Sequence, residues 1–182
     1  LSSCLSITQP PCQSHRLAGH EGIARDARFV SKAEPELSYR PMTAEDVEYV
    51  LTVENEVYPY PWTQQILQDC IRVGYDCWLA LENNAVVAHA VVSVAAGESH
   101  LLNLSVSKKH QGKGIGKVFI GFLIDIVQSK NATVMLLEVR PSNLQAIRCY
   151  DAVGFNEIGC RKDYYPTATG KEDALLYAKE IY

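Results

Sequence analysis

The sequence predicts an α/β domain: a mixed, mostly antiparallel central sheet with helices on both faces. Three observations carry that prediction. Three strand-like runs follow one another between residues 77 and 106, separated only by short turns, as in an antiparallel meander. A strand, a glycine-rich turn and a helix pattern then occupy 101–127. A second strand and helix follow at 133–153. Parallel neighbours need such helical crossovers and a meander does not, so one sheet must hold both kinds of pairing, with helices covering it.

The elements can be justified in order. Residues 1–37 are dominated by Ser, Gln, Pro, Gly and Ala, with Pro10-Pro11 and Pro35 interrupting and no period persisting. That composition predicts a flexible N-terminal extension before a domain spanning 38–182. Tyr39-Arg40 reads as a short strand ended by Pro41. Thr43 is the expected N-cap of a first helix, with Glu45 and Asp46 in its first turn and Val47, Val50, Leu51 and Val57-Tyr58 on its apolar face. Pro59-Tyr60-Pro61-Trp62 ends that helix, since proline cannot continue it. Thr63 caps a second helix carrying Ile66, Leu67, Cys70 and Ile71.

The meander strands are 77–81, 85–96 and 101–106, joined by turns at Asn83-Asn84 and Gly97-Glu98-Ser99. The long helix places Ile115, Val118, Phe119, Phe122, Leu123, Ile126 and Val127 at helical spacing and stops at Asn131. A buried strand over 133–139 and a helix over 143–153, ended by Gly154, come next. Runs 155–161 and 173–178 form a terminal hairpin, with 164–170 expected as the loop between them.

Composition narrows the function. The 182 residues are 47% hydrophobic and 21% charged, within the ordinary globular range. A net charge of −4 and a pI near 5.7 lack the basic excess of a nucleic-acid binder, so no direct nucleic-acid binding is expected. No apolar run approaches a membrane span, and no secretory signal is legible at the N-terminus. Six cysteines are scattered without dense spacing, which fits a reducing cytoplasm and, in four cases, apolar patterns. Cys4, Cys12, His15 and His20 are spaced C-x7-C-x2-H-x4-H, which matches no common zinc finger, and no metal is expected.

The turn at Gly112, Gly114 and Gly116 is the most informative stretch. A helix that begins on a glycine-rich turn offers unpaired N–H groups and the positive end of its dipole to a phosphate, and Lys113 and Lys117 add charge. Two nucleotide motifs fail here. A P-loop ending at Gly116-Lys117 would need glycine at Gln111 and a hydroxyl at Val118. A dinucleotide fingerprint would need its third glycine at Lys117 or Phe119. The remaining pattern is Gln-x-x-Gly-x-Gly at Gln111, Gly114 and Gly116.

That pattern resembles the pyrophosphate loop of the GCN5-related N-acetyltransferases (the GNAT family), whose cofactor is acetyl-coenzyme A. The resemblance extends to Leu136 through Asn143, then Ala146-Ile147, Tyr150 and Gly154-Phe155, and the element order agrees over about 38–182. Leu-Glu-Val-Arg-x-Ser-Asn, the tyrosine twelve residues after that glutamate, Arg161 through Pro166, and Tyr60-Pro61-Trp62 resemble the RimI-type branch, the ribosomal-protein-alanine N-acetyltransferases. One departure is Gly112, where that branch usually has arginine.

The resemblance implies roles that the residues alone leave open. Glu138 interrupts the apolar run 134–139, where a carboxylate is costly unless partnered or functional. Burial would raise its pKa towards that of a useful base, and an ion pair with Arg140 or a loop lysine is the ordinary alternative. The family makes Glu138 the general base and Tyr150 the general acid; read alone, Tyr150 packs beside Phe155. Asn143 resembles a coenzyme contact and also suits a helix N-cap. In the family the backbone of Leu104, Ser105 and Val106 pairs with the pantetheine arm and presents an N–H to the thioester. Together with Gln111, Gly112, Lys113, Gly114, Ile115, Gly116 and Lys117, these residues make the cofactor set. Tyr60, Pro61, Trp62, Tyr164 and Tyr165 resemble the two walls around a substrate's first residues, as aromatics in loops suggest. The implied partner is a protein N-terminus, most specifically the alanine of a small-subunit ribosomal protein, acetylated by a monomer. Acetylation of a lysine side chain or small amine is the alternative within enzymes, and a non-catalytic acyl-coenzyme A module is the alternative outside them. Cys149 as a nucleophile and His100 as a proton carrier are further readings of the residues.

Overall fold

The computed structural model describes residues 35–182. Nearly all of the expected extension, including Cys4, Cys12, His15 and His20, lies outside the described residues. The elements are β1 (Ser38–Pro41), α1 (Val47–Val57), α2 (Gln64–Val73), β2 (Asp76–Glu82), β3 (Ala85–Ala95) and β4 (Glu98–Val106), then α3 (Ile115–Ser129), β5 (Val134–Val139), α4 (Leu144–Val153), β6 (Asn156–Thr167) and β7 (Gly170–Glu180). They form one seven-stranded sheet in the order β1-β2-β3-β4-β5-β7-β6. Among the described residues only the β4–β5 pair is parallel, and every other pair is antiparallel. The predicted fold class and element order therefore hold.

Two apolar clusters place the helices. Val47 and Val50 of α1, with Leu67 and Cys70 of α2, pack on Cys77, Leu79 and Val91 at one face. Ile115, Phe119, Ile120, Leu123 and Val127 of α3, with Tyr150 of α4, pack on Ala88, Ala90, Val92, Leu101 and Met135 at the other. The α3 stripe differs slightly from the spacing prediction: Ile120 is fully buried, whereas Val118 and Ile126 are half-buried. Asn83 and Asn84 both take positive φ, as a tight hairpin turn requires, and Ala96-Gly97 makes the next turn, one residue earlier than expected.

The terminal hairpin corrects the loop expected at 164–170. β6 runs on to Thr167, and the turn shrinks to Ala168-Thr169. Tyr164, Tyr165 and Thr167 favour extended backbone. Pro166 is tolerated because β6 is an edge strand, where its missing N–H leaves no ladder bond unmade. The register breaks between Arg161 and Tyr165, where Asp163 adopts φ 52° and its N–H bonds Asp173.

Entry into α1 is a single 3-10 turn at Ala44–Asp46. Thr43 precedes it as predicted, but the capping group is the Asp46 carboxylate. It accepts from the Thr43 N–H at 2.8 Å and from both Arg40 guanidinium nitrogens at 2.8 and 2.7 Å. The Arg40 bonds, then those from Thr43, outweigh partial burial and hold this carboxyl well below the usual carboxylate range. A depressed carboxyl stabilises the fold fully above its unfolded pKa and loses that contribution as pH falls through the folded value. Asp46→Asn should therefore cost about 1 kcal/mol at pH 7 by urea denaturation. The gap between wild type and variant should narrow only below about pH 4.

Candidate active site

The site is created where the sheet splits. β4 and β5 pair from Glu98–Val134 to Leu101–Leu137 and no further. At that point Leu102 is the extra residue of a bulge: Asn103 sits opposite Val91 and Leu101 opposite Val92. The bulge changes which side chains share a face. Leu101, Leu104 and Val106 pack towards the α3 cluster, while Asn103 and Ser105 turn towards α1. Beyond it β4 pairs only with β3 and β5 only with β7, so a gap opens between Leu104 and Glu138.

Two cavities meet in that gap. The larger, about 620 Å³, lies over the glycine turn and is lined by Leu104, Val106, Gln111, Gly112, Gly114, Ile115, Gly116, Lys117, Asn143, Cys149 and Tyr150, among others. Gly114, at φ 86°, is the N-cap of α3, a left-handed conformation that favours glycine. A Cβ on Gly116 would stand 3.4 Å from the Cys149 sulfur, so glycine also lets α3 and α4 converge. Gln111 turns its side-chain amide onto the Val106 carbonyl at 3.0 Å, tying the turn to the strand before it. Asn143 caps α4 as expected, accepting from the Ala146 N–H at 3.2 Å, and lines both cavities.

The smaller cavity, about 270 Å³, is lined by Tyr60, Trp62, Leu102, Glu138, Arg140 and Tyr165, among others. Tyr58, Pro59, Leu104, Arg140, Asn143 and Tyr150 belong to both and mark the junction. The structure thus gathers most of the predicted residues around one opening. Lys113, Ser105, Pro61 and Tyr164 do not line either cavity. Ser105 faces α1, and Tyr164 stands edge-on to Tyr165 at 4.9 Å. His100 is exposed at the closed end of the split, paired opposite Leu136.

Glu138 differs from the setting its sequence neighbours imply. Its side chain is 28% exposed and pairs with Arg161 at 3.0 Å, a partner on β6, in place of Arg140 or a loop lysine. Strand alternation explains this: Met135, Leu137 and Val139 take the buried face, which leaves Glu138 on the other. The Tyr164 phenol also bonds Glu138, which raises the phenol's pKa. Burial, reinforced by nearby Tyr58, Cys149 and Tyr165, pushes the Tyr150 phenol far above its ordinary value. Burial raises the Cys149 thiol as well, and pushes Tyr165 up to about 12.

Three participants escape the sequence reading. Arg140 stacks on Tyr165 at 4.4 Å, lies over Tyr60 at 5.7 Å and pairs with Glu172 at 3.2 Å, bracing both aromatic walls. Tyr58 donates its hydroxyl to the Leu104 carbonyl at 2.8 Å across the junction. Glu54 is fully buried and bonds His89, Asn103, Ser105 and the Trp62 N–H. Burial opposes its ionisation, but the bonds from His89 and Ser105 prevail and lower its pKa. A signal existed for Glu54: it falls on the helical phase of Val47 and Val50, so it had to point into the core.

Among the described residues no helix is long and apolar enough to cross a membrane, and no cluster of His, Cys, Asp and Glu is placed to hold a metal. Comparison with known proteins agrees with this architecture. The sequence model of the acetyltransferase (GNAT) family matches residues 43–155. The [ribosomal protein bS18]-alanine N-acetyltransferase of Escherichia coli K12 is 33% identical over 129 residues, 71% of this chain and 87% of the relative. The protein of that name from Haemophilus influenzae is 33% identical over 134 residues, 73% and 91%. The crystal structure of the ribosomal-protein-S18-alanine N-acetyltransferase from Escherichia coli superposes with a TM-score of 0.75 at 29% identity, covering 80% of this chain and 94% of that one. The split sheet, the glycine turn at a helix N-terminus and these likenesses agree: the chain is an acyltransferase and belongs to the acetyltransferase (GNAT) family.

Proposed function

We propose that the protein transfers an acetyl group from acetyl-coenzyme A to the α-amino group of a protein N-terminus, with the alanine of a small-subunit ribosomal protein as its substrate. The observation that carries the proposal is the junction of two cavities at the split. The larger presents the α3 N-terminus and a wall of backbone amides suited to a pyrophosphate. The smaller is walled by Tyr60, Trp62 and Tyr165 and leads to Glu138, a size and lining suited to a peptide end. The curated relatives named above act on the alanine of ribosomal protein bS18, and that activity is carried to this chain as part of the proposal.

In this reading the turn at 111–117 holds the pyrophosphate and Asn143 contacts the coenzyme. The pantetheine arm runs along Leu104–Val106 like an added strand. In extended backbone a residue's N–H and C=O point the same way. Leu104, whose carbonyl reaches Tyr58 in the gap, therefore also directs its N–H there, towards the thioester oxygen. An incoming amine loses its proton to Glu138, directly or through a water, as its nitrogen bonds the acetyl carbon. The carbon–sulfur bond breaks, and the Tyr150 phenol gives its proton to the departing sulfur. A buried phenol stays protonated at working pH and can act as that donor. A thiol kept protonated by burial is a poor nucleophile, which favours direct attack over a Cys149 intermediate.

The test is incubation with acetyl-coenzyme A and peptides that begin with Ala, Ser or Met, or that carry lysine behind a blocked N-terminus. Ala-starting peptides should gain one acetyl group on the α-amine, read by mass spectrometry with fragmentation. Acetylation confined to lysine, or none on Ala-starting peptides, overturns the proposal.

A further inference from the structure

We propose that Glu54 is a positioning residue for the peptide substrate, its carboxylate holding the Trp62 wall in register with the bulged half of β4. This rests on the acetyltransferase reading above. The two carboxylate oxygens divide their partners. Oε1 takes the sheet: His89 Nε2 at 3.0 Å, Asn103 Nδ2 at 3.3 Å and Ser105 Oγ at 2.6 Å. Oε2 takes the loop, accepting from the Trp62 backbone N–H at 3.0 Å. One side chain thus joins α1, β3, β4 and the loop after α1. The Tyr58 hydroxyl bonds the Leu104 carbonyl and the Ser105 side chain, adding a second tie between the same loop and strand.

The cost of the arrangement supports a geometric role. Glu54 is 0% exposed and His89 1%, and His89 Nδ1 has no partner. Burying a carboxylate is costly, and well-packed apolar residues can often replace a buried polar cluster with little loss of stability, so fold stability alone does not account for a carboxylate here. A two-ended acceptor does account for it. The bulge is what turns Asn103 and Ser105 towards α1, so the carboxylate reads the same irregularity that opens the split. Trp62 lines the peptide cavity, and Leu104 lines both cavities. Their relative placement decides whether a peptide amine meets the acetyl carbon.

Glu54→Leu removes every acceptor, whereas Glu54→Gln can turn its amide oxygen to the Trp62 N–H while Ser105, Asn103 and His89 adapt to its NH2 group. With the folded fraction measured by circular dichroism, E54L should raise the KM for an Ala-starting peptide at least roughly tenfold. Its affinity for acetyl-coenzyme A should stay within twofold of wild type, and E54Q should recover most of the loss. An unchanged peptide KM in E54L overturns the proposal, and so does a parallel loss of acetyl-coenzyme A affinity. If E54L does not fold, amide exchange in the wild-type protein decides. The Trp62 N–H should be protected about 100-fold relative to an open loop, and exchange at the open-loop rate overturns the proposal. This arm needs no activity, so failure of the acetyltransferase reading and failure of the Glu54 assignment give different results.

Discussion

Glu138→Gln should lower kcat on an Ala-starting peptide by roughly 10²–10⁴-fold, the span expected for loss of a positioned base. The dissociation constant for acetyl-coenzyme A should change less than twofold, because Glu138 lines only the smaller cavity and the glycine turn, the proposed pyrophosphate site, lines the other. The substitution keeps the size of the side chain and removes its charge, so Arg161, 3.0 Å away and more than half exposed, can turn to solvent. Stability should move little, as for other part-exposed ion pairs. The pH profile separates a base from a purely electrostatic partner by comparison with wild type. A base makes the wild-type rate less dependent on the amine's own ionisation, so the ratio of wild-type to variant rate falls as pH rises. A purely electrostatic partner leaves that ratio constant. An α-amino group has a reference pKa of about 7.7–8.0. Residual turnover in E138Q should climb as pH rises through that range, because solvent then supplies the free amine. A variant with wild-type kcat at pH 7, or a ratio of wild-type to variant rate that stays constant with pH, ends the base assignment.

The ion pair at Glu138 also shows where sequence reading stops. That a carboxylate interrupts the run 134–139 is legible, and so is the alternation that turns it away from Leu137 and Val139. Its partner Arg161 lies on a strand reached only through the β5–β7–β6 order, and nothing local in the sequence links the two. Local chemistry was legible wherever the local chain decides the outcome: Asn83-Asn84 as a turn, Thr63 and Asn143 as caps, Gly114 before α3. The extent of β6 is not legible locally: a proline inside a strand-like run argues against a strand, while edge position, a tertiary fact, makes Pro166 harmless. Glu54 is intermediate: its helical phase marks it as inward-facing, but its donors come from three other segments and appear only once β4 bulges. The glycine turn at a helix N-terminus was legible, but the cavity beside it depends on the register break at Leu102.

Tyr150→Phe should lower kcat roughly 10²-fold, at the low end for a general acid, while leaving the fold intact. The ring stands edge-on to Phe155 at 5.8 Å and near Tyr177 at 6.5 Å, contacts that phenylalanine preserves. A thermal midpoint shift of more than a few degrees would indicate a structural role for the hydroxyl. The chemical role has its own signature. If the phenol protonates the departing sulfur, its loss matters less when the leaving thiol is more acidic and departs readily as the thiolate. With acetyl-coenzyme A the wild-type enzyme should outrun Y150F by the full factor. With an acetyl thioester of an aromatic thiol, measured at saturating peptide, the ratio should shrink towards unity. Equal ratios for both donors would assign the hydroxyl to binding. Cys149→Ala supplies the counterpart: by direct attack it should keep burst-free, single-phase kinetics, whereas a Cys149 intermediate would require the sulfur for any turnover. Tyr150 lines both cavities at their junction, which is where the proposed transfer would release the sulfur.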